Sequence, residues 1–291
     1  MSADLSLRAP RPGARTSARQ QASDAALLFD APGPRGRRRI AVASALATVA
    51  LIGLLAAGTW QLWRAGQLEY PSWRYFLGQS IVRYLAQALG DTLAATAVGA
   101  GLSFPLGVAL GWLRLSRHRW LRLVVGTWID AMRAVPMLLL IYFFLLAVPR
   151  WGLTLPSFWM LTIPIVMCVS ATTAEVFRSG VLALDRGQRE AAWALGMGEG
   201  LTMRLVLAPQ ALRLMLPTLI TQLVTILKNT SLGYVVAYGE LMYSARLLSN
   251  SAQAAHRLDV YLPAYLIVAL LFVTINWLLG AVARRVEART R

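Results

Sequence analysis

Long apolar runs with few charges alternate along this chain with stretches rich in arginine. The runs extend from Ile40 to Trp63, and from about Gly90 to Leu113, Leu123 to Val148, Phe158 to Gly180, Leu214 to Tyr238 and Tyr261 to Val282. A hydrocarbon layer about 30 Å thick takes about 20 apolar residues of helix, so each run predicts one membrane-spanning helix. The fold class that follows is all-α, a polytopic integral membrane protein of about six transmembrane helices. The first run follows Arg35, Arg37, Arg38 and Arg39 as the apolar part of a secretory signal would, but such a signal has only about 7 to 15 apolar residues. Its greater length marks a retained span.

The segments between the runs divide the chain further. Residues 1–39 are rich in Arg, Ala, Pro, Ser and Gly without sustained apolar periodicity, which predicts a disordered basic tail, followed by the first span over 40–63. Residues 64–89 mix Tyr70, Trp73, Tyr75, Phe76 and Tyr84 with arginines, as expected of a segment lying along the headgroup layer. The remaining spans fall within 90–282, and residues 283–291 form a short basic end. Arginines crowd the N-terminal tail, the 114–122 turn, the long 181–213 loop and the C-terminus, whereas the opposite face holds only Arg64, Arg74, Arg83, Arg150, Arg246 and Arg257. By the positive-inside rule both termini and the 181–213 loop are cytoplasmic.

Composition agrees with lipid as the solvent: 57% of residues are hydrophobic and 14% charged, against roughly 25% charged in a soluble domain. The net charge of +16 does not form a nucleic-acid footprint, because the basic residues, all arginine except Lys228, are parcelled out between the spans. Cys168 is the only cysteine, and His118 and His256 are the only histidines, which argues against a disulfide framework, a metal cluster and redox chemistry. No nucleophile with a base lies within the spans, and neither H-E-x-x-H nor a phosphate-binding loop is present. The chain is therefore not expected to be an enzyme or to bind a cofactor of its own. The absence of an internal repeat gives no support to an inverted-repeat carrier.

The 181–213 loop has helix-forming residues on both sides of a glycine, which predicts two short helices joined by a turn at Gly196 and Gly198, with Glu190 near the first helix N-terminus. Here the sequence resembles the permeases of bacterial binding-protein-dependent ABC importers, whose cytoplasmic loop has the form E-A-A, three residues, G, nine residues, I-x-L-P. Glu190, Ala191, Ala192, Gly196 and Pro209 match at that spacing. Val206 replaces the isoleucine and Ala208 the leucine, both smaller apolar residues that change packing volume. The resemblance covers about residues 90–280. Its flanks are similar to the polar amino-acid branch, with glutamate-type permeases most similar: Asp91-Thr92-Leu93, Met132 to Pro136, Ala174 to Gly180, Leu227 to Leu232 and Glu240-Leu241 come in order.

The resemblance implies a five-helix importer core, here preceded by an added helix, in a bacterial inner membrane. It implies a coupling helix pair that docks on a dimer of ABC ATPase subunits, where ATP and Mg are bound. A second permease, identical or homologous, and an extracytoplasmic solute-binding protein complete the assembly. An ion-coupled carrier or a channel is the competing reading.

Charges inside the spans supply the remaining expectations. Lys228 falls near the middle of the fifth run, where a charge costs at least about 2.5–3.5 kcal/mol, so it must face protein or water. It is expected either to contact an anionic group of the solute or to pair with an acidic neighbour or freed carbonyls. Asn229, Thr230 and Ser231 are poor helix formers, and they predict a local break lining a cavity. Asp130 with Arg133 and Glu175 with Arg178 are spaced to share helix faces and compensate each other. Arg133, Pro136 and Glu175 are assigned to gating or helix shape, Pro136 by bending its helix. Similar permeases often have aspartate where Asn229 stands, so its absence favours an acidic or neutral amino acid over a cationic one.

Overall fold

The computed structural model describes residues 33–290, with side chains through Arg285, and every element among them is helical. The chain divides into two compact units after Arg64.

The first unit, in its described part, is helix α1, Pro34–Arg64, and none of its residues is buried. Its hydroxyls are satisfied within the helix, Ser44 donating to the Ala41 carbonyl, Thr48 to Ser44 and Thr59 to Leu55, which is the arrangement a lipid environment requires. Trp60 and Trp63 lie 5.4 Å apart near its end, with the Arg64 guanidinium 5.6 Å over the Trp60 ring, an anchor suited to the membrane–water boundary. Proline is tolerated in a first helical turn, where its missing N–H has no partner to lose. The helix therefore starts at Pro34, and Arg35, Arg37, Arg38 and Arg39, expected to end a disordered tail, are helical instead. Residues 1–32 of that tail lie outside the described residues.

The second unit contains α2 (Tyr70–Arg74), α3 (Gln79–Arg114), α4 (Arg119–Ala134), α5 (Met137–Leu146), α6 (Ser157–Leu182), α7 (Arg186–Ala194), α8 (Glu199–Thr202), α9 (Ala208–Thr230), α10 (Leu241–His256) and α11 (Tyr261–Thr290). Helices α1, α3, α6, α11 and the run Glu199–Val236 around α9 are long and apolar enough to cross a membrane, and α4 with α5 makes a sixth span if that pair, bent by 95°, counts as one.

At the centre, α3 lies against α6. Ala95, Gly99, Ser103, Gly107 and Gly111 recur every fourth position of α3, and all are buried. At Gly107 a Cβ would stand 2.5 Å from the Thr173 Cβ and 2.7 Å from the Ser170 carbonyl oxygen, so no side chain fits between the two backbones. Small residues allow this approach, and in lipid, where there is no hydrophobic drive between helices, the resulting contact is what holds them together. Ile226 of α9 joins Ile165 against Gly99, while Phe177, Met203, Leu207, Ala211 and Met215 form a second cluster nearer the α3 C-terminus.

Helix α10 was not foreseen, because residues 239–260 read as an outer loop. Its buried face is Leu241, Ser244, Ala245, Leu248, Ser249 and Ala252, a helical period in which four of the six residues are small, two serines and two alanines. It packs with Leu85 and Ala88 of α3, with Val260 just before α11, and with Ala264 and Val268 of α11. A hydrogen bond from the Leu262 N–H to the Gln67 side chain, 3.0 Å long, fastens the start of α11 to the segment before α2.

Four boundaries differ from expectation. Helix α3 begins at Gln79 rather than Gly90, absorbing part of the interfacial segment. The third run is two helices, because Val135 and Pro136 are extended and Pro136 serves as the N-cap of α5. The long loop is shorter than 181–213: it ends in a π turn over Met203–Leu207 that continues into α9, which puts Pro209 inside a helix. The end expected as a tail from residue 283 is helical to Thr290.

Candidate functional site

The elbow between α6 and α9 is built from local capping. Asp185 accepts from the Gly187 N–H at 2.6 Å and starts α7, so Glu190 sits in the middle of the helix and not in its first turn as expected. At the other end Gly196 has φ +77°. The Met197 N–H reaches the Ala192 carbonyl at 3.0 Å and the Gly196 N–H reaches Trp193 at 2.9 Å, the paired bonds that close a helix through a left-handed glycine. Ala192 is buried, while Glu190, Ala191, Trp193 and Leu195 are exposed, Leu195 to 82%. Exposure of a tryptophan and a leucine around a carboxylate is what an uncovered docking surface offers. Gln210 of α9 donates to the Gln188 side chain of α7 at 3.2 Å, and Arg117 pairs with Glu199 of α8, so the elbow is held from both sides.

The Glu199–Thr202 helix, the π turn and α9 follow one another without a loop. On α9 the exposed positions from Thr218 onward are Thr218, Thr221, Thr225 and Lys228, with Gln222 and Asn229 half-buried beside them. Their spacing of three and four residues gathers them on one polar stripe. The hydroxyls of Thr221 and Thr225 donate to the carbonyls of Pro217 and Thr221, both at 3.1 Å. Lys228 was expected near mid-span; it lies in the last turn of α9, exposed and without an ion pair among the described residues. Thr230 turns inward, fully buried, and donates to the Leu227 carbonyl at 2.7 Å. The helical break comes after it, as a 3-10 turn over Ser231–Val236 followed by Ala237 at φ 52°.

The break is closed by side chains from elsewhere. Glu240, fully buried, accepts from the N–H groups of Met242 and Tyr243, each at 2.7 Å, and so caps α10. The Tyr238 hydroxyl donates to the Asp91 carbonyl at 2.9 Å and the Leu241 N–H to the Thr92 hydroxyl at 3.2 Å. Asp91-Thr92 and Glu240-Leu241, noted as separate motifs, are thus two halves of one fastening.

A third group of polar side chains lies where α3, α4 and α6 meet. Asp130 with Arg133 (3.9 Å) and Glu175 with Arg178 pair within their helices as expected. What the sequence concealed is Arg114, grouped there with the loop arginines. Its guanidinium donates to both Asp130 oxygens at 3.1 Å and to Glu175 at 3.0 Å, joining three helices through one residue. Arg133 and Pro136 are exposed around the α4–α5 bend. Among the described residues no group of three or more His, Cys, Asp or Glu side chains could hold a metal ion.

A family described as the binding-protein-dependent transport system inner membrane component matches residues 103–291. The glutamate transport system permease protein GluD of Corynebacterium glutamicum is 35% identical over 230 residues, 78% of this chain and 82% of that protein. The probable glutamine ABC transporter permease protein GlnP of Bacillus subtilis is 33% identical over 199 residues, 68% of this chain and 89% of that protein. Among solved structures, one described as an amino acid ABC transporter with histidines is similar in fold, with TM-score 0.65 at 24% identity, covering 72% of this chain and 95% of that one.

Proposed function

The chain belongs to the inner-membrane components of binding-protein-dependent transport systems, and on that footing we propose that it is the permease of an ATP-driven importer of polar amino acids, glutamate or a similar solute. The observation that carries this reading is continuity: the exposed elbow, with Glu190, Ala191, Ala192 and Gly196, runs through the π turn and Pro209 directly into the helix bearing the Lys228 stripe. A helical run from Glu199 to Thr230 is roughly 45 Å long at 1.5 Å per residue, enough to join a cytoplasmic surface to the far part of a membrane. Movement imposed on the elbow by a closing ATPase dimer, which supplies ATP and Mg chemistry, is thereby delivered to the solute path.

The Lys228 ammonium and the Gln222 and Asn229 amides of this stripe are too polar to face hydrocarbon, so the stripe, with Thr218, Thr221 and Thr225, faces a second permease subunit across a wet path. In that path the Lys228 ammonium attracts the carboxylate of the solute, Asn229 and Ser231 offer neutral hydrogen bonds, and Thr230 holds the end of the helix from inside. Arg133, Pro136 and Glu175, with Arg114, form the gate on the elbow side. Both termini and the elbow are cytoplasmic, and the solute arrives from an extracytoplasmic binding protein. The names of relatives that transport glutamate and glutamine fit an acidic or neutral solute.

Uptake into vesicles that carry the assembled transporter, in competition with glutamate, glutamine and arginine, tests the proposal. Glutamate or glutamine should compete and uptake should require ATP inside. Preferential arginine uptake would overturn the solute, and uptake driven by an ion gradient without an ATPase would overturn the importer itself.

A further inference from the structure

The importer reading leaves α1 unused. Over its first turns an open groove of about 440 Å³ is lined by Arg35, Arg38, Arg39, Val42, Ala43 and Leu46. These positions follow one another at three- and four-residue steps, so they form a single face on which three guanidinium groups stand directly above an apolar trough. No acidic residue occurs in the sequence between Asp30 and Glu69, so nothing within α1 neutralises that face. At the other end Trp60 and Trp63 form the aromatic anchor. From Arg38 to Trp60 the helix rises about 33 Å, close to the thickness of the hydrocarbon layer, about 30 Å. When the tryptophans sit at one boundary, the arginines are therefore in the headgroup layer of the opposite leaflet.

We propose that this groove binds an anionic phospholipid, its phosphate held by Arg35, Arg38 and Arg39 and its acyl chain laid along Val42, Ala43 and Leu46. Guanidinium groups take phosphate oxygens in paired hydrogen bonds, and basic residues next to a membrane span attract anionic lipid while the attraction decays within a Debye length. The apolar half of the groove selects a lipid over free phosphate, and a helix that carries no acidic residue of its own selects an anionic headgroup over a zwitterionic one. The site belongs to α1 alone and does not depend on what the rest of the chain transports.

The test is lipid retention by the full chain, purified with its associated subunits and measured by native mass spectrometry after exchange into phosphatidylglycerol or phosphatidylcholine. The wild type should retain phosphatidylglycerol preferentially. A variant with Arg35→Gln, Arg38→Gln and Arg39→Gln should lose that preference by about tenfold or more, and the corresponding Arg→Lys variant should keep most of it at low salt. Because loss of the arginines can also disturb insertion, Val42→Trp with Leu46→Trp provides a second variant that fills the trough, keeps the charge and should reduce retention equally. Photo-cross-linking from position 46 should label lipid. Cross-links to a second copy or another subunit, full displacement by inorganic phosphate, or unchanged lipid preference in both variants would each overturn the proposal.

Discussion

Arg114 and Glu175 are separated by 61 positions in the sequence, yet their side chains meet at 3.0 Å, with the same guanidinium also gripping Asp130. Both partners are about one-fifth exposed, at 19% and 20%, so water screens the pair only partly. Arg114→Gln leaves Glu175 to Arg178 alone and Asp130 to the single longer contact with Arg133 at 3.9 Å, and should lower stability by about 1–3 kcal/mol. Arg114→Lys should fall between, because an ammonium cannot serve two carboxylates in one plane. Thermal unfolding in detergent checks this: Arg114→Gln should melt well below Arg119→Gln, and equal melting would count against the junction.

Gly107 should tolerate nothing larger. Gly107→Ala places a methyl within the backbone contact of α3 and α6 and should cost about 1–3 kcal/mol. Gly101, on the same helix with open space around it, should accept alanine with no loss, since alanine is the better helix former. Comparing the melting temperatures of the two variants separates close approach from helix propensity.

Glu240→Ala should free the amides of Met242 and Tyr243 and cost about 1–2 kcal/mol. Glu240→Gln, with one acceptor oxygen for two N–H groups, should cost less. Hydrogen exchange at those two amides is the direct readout, and it should quicken in the order wild type, Gln, Ala.

At the elbow, stability and coupling should separate. Gly196→Ala puts a side chain at φ +77° and should cost about 1 kcal/mol while also weakening coupling. Glu190→Ala, at an exposed position that makes no cap or ion pair among the described residues, should leave melting unchanged yet reduce the stimulation of ATP hydrolysis by solute. Unchanged stimulation in both variants would remove the elbow from the coupling path.

The spans were legible because lipid imposes length and apolarity on any helix that crosses it, and the elbow was legible because its glycine spacing is a backbone requirement. Helix α10 was hidden since its buried face uses Ser244 and Ser249, which read as polar when the packing partner is unknown, and small Ala245 and Ala252, which give a weak apolar signal. The α4–α5 break showed in advance only as a bend at Pro136; the chain turns through 95° there, with Ile129 and Ile141 packed in separate clusters that both include α6 residues. Arg114 could not be told from its neighbours in a basic turn, because both carboxylates it serves lie on other helices. The stripe leading to Lys228 was present in the spacing of Thr218, Thr221, Gln222 and Thr225, and its signal was masked by the apolar residues between them.

That stripe also bears on the fate of an unassembled copy. A solitary subunit in the bilayer would hold two amides and an ammonium against fatty acyl chains, an arrangement that invites either misassociation or removal by membrane proteases. On the proposed assembly, synthesis matched in amount to that of the partner subunits follows as a demand on the cell, set by one face of one helix.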